Sequence, residues 1–162
     1  MTLYDATQWH ELFVASAGAA AALAGLVFVA VSINVGRIIA LHGLPERALQ
    51  TILLLLAAVV VSIVGLVPQS TTWLAVEILA AALSLGVGIA ITGRRAFDTG
   101  GNRKWLASRL AAVLPGSVYY LVGGVSLLVA WGGGLAWIVA GLIGGMVGAV
   151  VNAWILLVEI LR

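Results

Sequence analysis

Long apolar runs separated by short polar breaks dominate the chain, and the runs have the length of membrane-crossing helices. Crossing about 30 Å of hydrocarbon takes roughly 20 apolar residues in a helix. Five stretches of the 162-residue chain qualify: Phe13 to Gly36, Ala48 to Val67, Thr72 to Thr92, Trp105 to Ala130 and Leu135 to Val158. The runs are continuous rather than alternating, which argues against a membrane barrel. The breaks carry helix punctuation. Pro45 suits the first turn of the second span, where its missing N–H costs nothing. Pro68 ends that span, and Pro68-Gln69-Ser70-Thr71 predicts a tight turn into the third. Trp131-Gly132-Gly133-Gly134 predicts a second tight turn, between the fourth and fifth spans. The pattern therefore reads as an all-α polytopic membrane bundle, a single transmembrane domain containing two antiparallel hairpins.

Composition excludes the competing classes. Hydrophobic residues make up 63% of the chain and charged residues 9%, against about 25% charged in a soluble domain. Mean hydropathy is +1.19. So apolar and weakly charged a chain is not disordered. The absence of cysteine removes disulfide scaffolds, Cys-ligated metals and thiol catalysis. The pI near 9.5 does not point to nucleic acid, because the placement of the bases explains it.

Arg37 and Arg47 flank the first loop between spans. Arg94, Arg95, Arg103 and Lys104 flank the third, Arg109 lies one turn inside the fourth span, and Arg162 ends the chain. Five crossings put all eight bases on one side and leave Asp5, Glu11 and Glu77 on or near the other. Four crossings would split them. The positive-inside rule then places the N-terminus outside and the C-terminus in the cytoplasm. The basic segment from Arg94 to Lys104 should lie near anionic lipid headgroups. Met1 to Glu11 carries two acids and no base, opposite to a signal peptide, and reads as a translocated tail. Within it Asp5 is placed to cap a short helix, with Gln8 three residues on as in a capping box. Tyr4 and Trp9 suit the outer interface.

Many of the 20 glycines form rows with other small residues. In the fifth span Ala136, Ala140, Gly144, Gly148 and Asn152 recur every four residues, beside a second row of Gly141, Gly145, Ala149 and Ala153. Gly18, Ala22, Gly25, Ser32 and Gly36 mark a stripe on the first span. Such faces let helices approach closely and gain van der Waals contact, which matters where lipid removes the hydrophobic drive. They can close the protomer on itself or meet another subunit. Five helices bury few faces, so a homo-oligomer is expected.

Ionisable groups inside a membrane are the default functional candidates. Glu77 lies five residues past Thr72, about 8 Å below the outer boundary. Tyr119 and Tyr120 fall at a similar depth, so a Tyr–Glu hydrogen bond is possible. Glu77 is either a cation or proton site or a group facing an outer vestibule. Asn34 and Asn152, in the inner parts of their spans, are candidates to line a path or to bond a neighbouring helix. Glu159 lies level with Arg37, Arg109 and Arg162 and reads as half of a structural salt bridge. Pro115, followed by Gly116, should kink the fourth span, as a static feature or a hinge. His10 and His42 fall on opposite faces and cannot share a metal. No phosphate loop, nucleophile pairing or in-span lysine is present, so neither an enzyme nor a cofactor is expected.

The stretch Trp9-His10-Glu11-Leu12-Phe13, continued by the Gly/Ala-rich run from Gly18 to Val31 and by Ser32-Ile33-Asn34, resembles the opening of a group of short bacterial multi-pass membrane proteins. The resemblance implies a bacterial cytoplasmic (inner) membrane and no particular activity. The expected function is a homo-oligomeric small channel, with Glu77, Asn34, Asn152, Tyr119 and Tyr120 as pore candidates. Gly18, Ala22, Gly25, Gly141, Gly144, Gly145 and Gly148 are the candidate packing interface. The alternatives are a non-conducting accessory subunit bound to a larger membrane protein, and a proton-coupled transporter.

Overall fold

A computed structural model describes the backbone of residues 3–98 and 103–161 and the side chains of residues 3–95, 114 and 116–159. The chain is all-α, 88% helical, with no strand among the described residues. A single 3-10 turn (Ala6–Trp9) leads into α1 (His10–Ile33), followed by α2 (Val35–Ala40), α3 (Leu44–Leu66), α4 (Thr71–Asp98), α5 (Arg103–Val129) and α6 (Leu135–Leu161). Among the described residues four segments are long and apolar enough to cross a membrane: Ala6–Ile33, Leu44–Leu66, Thr71–Arg95 and Leu135–Glu159. In α5 the described apolar segment is the shorter Gly116–Val129.

Local chemistry sets the helix ends. Gly43 enters α3 in the left-handed region at φ 79°, and Pro45 sits in the first turn. At the other end Val67 is extended, as the residue before a proline prefers. Between α5 and α6 the backbone turns left-handed at Ala130, Gly132, Gly133 and Gly134. Ser126 clamps this turn: its hydroxyl donates to the Trp131 carbonyl and accepts from the Gly134 N–H at 2.8 Å. Helix α4 runs on to Asp98 and α5 begins at Arg103, so much of the expected basic loop is helical.

One boundary departs from expectation. The first span was expected to continue to Gly36, but α1 stops at Ile33. The Asn34 side-chain amide donates to the Ala30 carbonyl at 2.9 Å, the same oxygen that its backbone N–H reaches at 3.3 Å. This local bond competes with the helical ladder, and a separate short α2 follows.

Helices α3, α4, α5 and α6 form a four-helix ring, each packed on the next, with α6 returning to α3. Helix α1 lies outside the ring against α3. Its Phe13 ring fits over Gly65, where a Cβ would come within 2.8 Å of ring carbons. The centre of the ring is filled by Leu54, Ala58, Val61, Ile78, Ile138 and Leu142, none more than 1% exposed. The N-terminal segment straps one end of the ring shut. The Leu3 carbonyl accepts from Leu135 N–H at 2.8 Å, Gly133 N–H donates to the Tyr4 hydroxyl at 3.3 Å, and the Thr71 hydroxyl donates to the Tyr4 carbonyl at 3.4 Å. The strap thus joins the α3–α4 and α5–α6 turns.

Candidate functional site

Two polar regions stand out, one on the outer surface of the ring and one inside it. The outer one is Glu77, about one and a half turns into α4. Its side chain is exposed on the flank between α3 and α4. Gln69, in the turn before α4, donates to the Glu77 carboxylate at 2.7 Å and to the Val64 carbonyl at 3.1 Å. The Val64 carbonyl belongs to the last turn of α3, where it also accepts from the Val67 N–H at 3.2 Å, so Gln69 adds a second bond at this helix end. Below Glu77 a groove of about 410 Å³ runs between the helices, lined by Leu53, Val60, Val64, Ala81 and Ser84 among others. Glu77 is its one ionisable lining residue.

The inner region lies at the end of the ring opposite the strap. Arg47, in the first turn of α3, is 2% exposed, and its Nη1 lies 3.8 Å from Oε1 of Glu159 on α6. One turn on, the buried Gln50 side chain donates to the Thr92 hydroxyl of α4 at 2.8 Å. Thr51 donates to the Arg47 carbonyl at 2.9 Å, and Thr92 contacts the Gly88 and Ile89 carbonyls. Asn152 of α6 is fully buried in the same half, and neither its amide oxygen nor its amide nitrogen has a hydrogen-bond partner.

The predicted site residues do not share a lining surface. The Tyr–Glu bond suggested by equal depth does not form. Tyr120 is 1% exposed with an unbonded hydroxyl, Tyr119 stacks on Trp137 at 5.9 Å between centroids, and the Glu77 carboxylate takes Gln69. Equal depth left out azimuth: Glu77 faces out of the α3–α4 flank while Tyr120 faces α6. Asn34 bonds within its own helix rather than to a neighbour, and borders a cleft of about 190 Å³ between α1 and α6. Glu159 pairs with Arg47, while the side chains of Arg109 and Arg162, two of the bases expected near it, lie outside the described residues.

The glycine rows divide by role. Gly141 and Gly145 are buried under Tyr120 of α5, so this row closes the protomer on itself. Gly148 is buried and Gly144 half-buried. Gly18, Ala22 and Gly25 on α1 are exposed, and a Cβ on Gly18 or Gly25 would meet nothing within 4 Å. Helix α5 remains helical through Pro115, whose side chain lies outside the described residues, as do those of Arg103, Lys104 and Arg109.

Sequence reasoning missed the buried polar layer. Arg47 was counted as a loop charge, although its spacing from Gln50, Thr51, Leu54, Leu55 and Ala58 puts it on the buried stripe of α3. That spacing of three and four was the available signal. Among the described residues no cluster of His, Cys, Asp or Glu could hold a metal. No protein-family model, curated protein or solved structure matches the chain.

Proposed function

We propose that the protein is a homo-oligomeric small channel of the bacterial cytoplasmic membrane, with five membrane spans, its N-terminus outside and its C-terminus in the cytoplasm. Its conducting path runs between protomers, along the α3–α4 groove that carries Glu77 and Ser84. The observation that carries this reading is the placement of Glu77: an acid inside a helix long and apolar enough to cross a membrane, facing out of the protomer. Intramembrane carboxylates normally face a bundle interior or a water-filled cavity. The strap half of the ring interior is filled mainly by apolar side chains such as Val61, Leu74, Ile78 and Ile138, and the buried polar layer lies at the other end, so the aqueous surface for Glu77 is best supplied by neighbouring copies.

Three further observations support the reading. The outer surface carries large exposed apolar side chains, such as Leu26, Phe28, Ile33 and Trp154, that suit lipid or another subunit. A closed ring of copies needs two different faces, and the bare α1 stripe at Gly18, Ala22 and Gly25 supplies a second one. The end of the bundle that holds Arg37, Arg47, Arg94 and Arg95 lies opposite the strap, which agrees with the proposed orientation.

The test starts with the mass of the detergent-extracted particle. The chain has no cysteine, so Ser84→Cys gives a single reporter on the groove. The channel reading expects a mass of several protomers and dimers cross-linked through position 84. A monomeric particle with no cross-link and no ion flux in liposomes points instead to the accessory-subunit reading.

A further inference from the structure

The strongest unexplained feature is a pair of orphan polar groups inside the ring, at the α5–α6 interface. The Tyr120 ring lies along α6. A Cβ on Gly141 would come 2.7 Å from its Cδ1 and Cε1, while a Cβ on Gly145 would stand 3.8 Å from its hydroxyl. The ring therefore runs from Gly141 toward Gly145, in the direction of the Arg47–Glu159 end. Its hydroxyl has no hydrogen-bond partner and the residue is 1% exposed.

Asn152 lies further along that line. It is seven residues beyond Gly145, about 10 Å along the helix and only about 20° around it. Between them stands Ala149, fully buried and small. Asn152 itself is 0% exposed, with both amide atoms unbonded. Side chains on a helix lean toward its N-terminus, so the Asn152 amide leans back toward Gly145 and the Tyr120 hydroxyl. Among the described residues and outside its own helix, the Tyr120 hydroxyl is the one atom within 4 Å of a Cβ built at Gly145, although Gly145 is buried.

We propose that Tyr120 and Asn152 bracket a buried hydration site beside Gly145 and Ala149, occupied by a short file of water molecules. Both groups can donate and accept. Both are uncharged as they stand, so the site suits a small neutral molecule that donates and accepts in turn. A buried amide left unbonded is costly, and internal waters typically satisfy such groups with about three bonds each. Three hydrogen bonds of about 2.8 Å, through two waters, reach about 8 Å, the scale of the two-turn separation between Gly145 and Asn152. The layer of Arg47, Gln50, Thr51 and Thr92, with the part-exposed Glu159 at its rim, offers polar footholds toward the adjacent end of the bundle. The inference does not depend on oligomerisation or conduction.

Water-edited solid-state NMR of the full chain in lipid bilayers tests the site. The chain has three asparagines and three tyrosines, so selective labelling of the Asn side-chain nitrogen and the Tyr Cζ gives few signals. A variant carrying Asn34→Ala and Asn102→Ala leaves Asn152 as the sole asparagine. Rapid polarisation transfer from water to both Tyr120 and Asn152 is expected. Gly145→Ala fits at ordinary contact distance from Tyr120 and fills the space beside its hydroxyl, so transfer to Tyr120 should drop while helix content and particle mass hold. Tyr120→Phe should lower transfer to Asn152 in the same way. Transfer to either group as slow as to the packed Leu142 overturns the site, as does transfer that both variants leave unchanged.

Discussion

Arg47 and Glu159 meet at 3.8 Å and tie the first turn of α3 to the last turns of α6. The two partners differ in burial, 2% exposed for the arginine and 36% for the glutamate. Removing the acid leaves a buried cation short of its counter-charge, while removing both charges does not. Glu159→Gln should lower stability by about 1 kcal/mol, a value held down by solvent screening at the exposed partner. Arg47→Met added to Glu159→Gln should recover much of that loss. Unfolding in mixed micelles measures both, and a double variant less stable than Glu159→Gln alone would contradict the argument.

The two glycine faces should respond oppositely to bulk. A Cβ on Gly141 comes within 2.7 Å of the Tyr120 ring, so Gly141→Ala should cost about 1–3 kcal/mol by overpacking. Gly18 has open space around it. Gly18→Leu should leave the protomer folded, with a gain of up to about 1 kcal/mol in helix propensity. If copies pack through this stripe as proposed, it should nevertheless reduce the particle mass, because a neighbouring copy can no longer approach. Sedimentation in detergent, read beside helix content, separates the two effects.

The N-terminal strap should loosen in acid. Asp5 accepts from the Thr7 hydroxyl at 2.6 Å, from the Thr7 N–H at 3.1 Å and from Gln8 at 3.4 Å. These bonds, led by the Thr7 hydroxyl, hold its carboxyl below the ordinary aspartate range. A depressed folded value means the contribution is complete above the unfolded value and is lost as pH falls through the folded one. Protection of the Leu135 amide, bonded to the Leu3 carbonyl, should therefore weaken below about pH 4. Asp5→Asn should show weaker protection at neutral pH and no such acid step.

The long helices and the chain breaks between them were legible because they rest on local chemistry, whereas the short α2 was not. Apolar length, Pro45, Pro68 and the triple glycine each act within a few residues. The structure has a helix at each of the five expected spans, and the two short turns lie where expected. Azimuth was less legible. Sequence depth put Glu77 level with Tyr120, but the partner of each depends on which way its helix is rotated in the ring. The roles of the glycine rows likewise depend on which helix lies opposite. Asn34 failed as an interhelical donor because its amide found the Ala30 carbonyl one turn away, a competition that short polar side chains often win. Arg47 is harder to read because its charge suits a loop end, while its spacing from Gln50, Thr51 and Leu54 places it on the buried stripe of α3.

Ion flux through proteoliposomes, compared between the wild-type chain and Glu77→Gln, tests the central claim most directly. Glu77 is exposed and its neighbour Gln69 can still bond an amide, so the variant should fold and keep the particle mass of the wild type. A conducting path along the α3–α4 groove predicts cation flux in wild-type liposomes and flux near that of empty liposomes in the variant. Absence of flux in the wild type, or equal flux in both at equal mass, would contradict it.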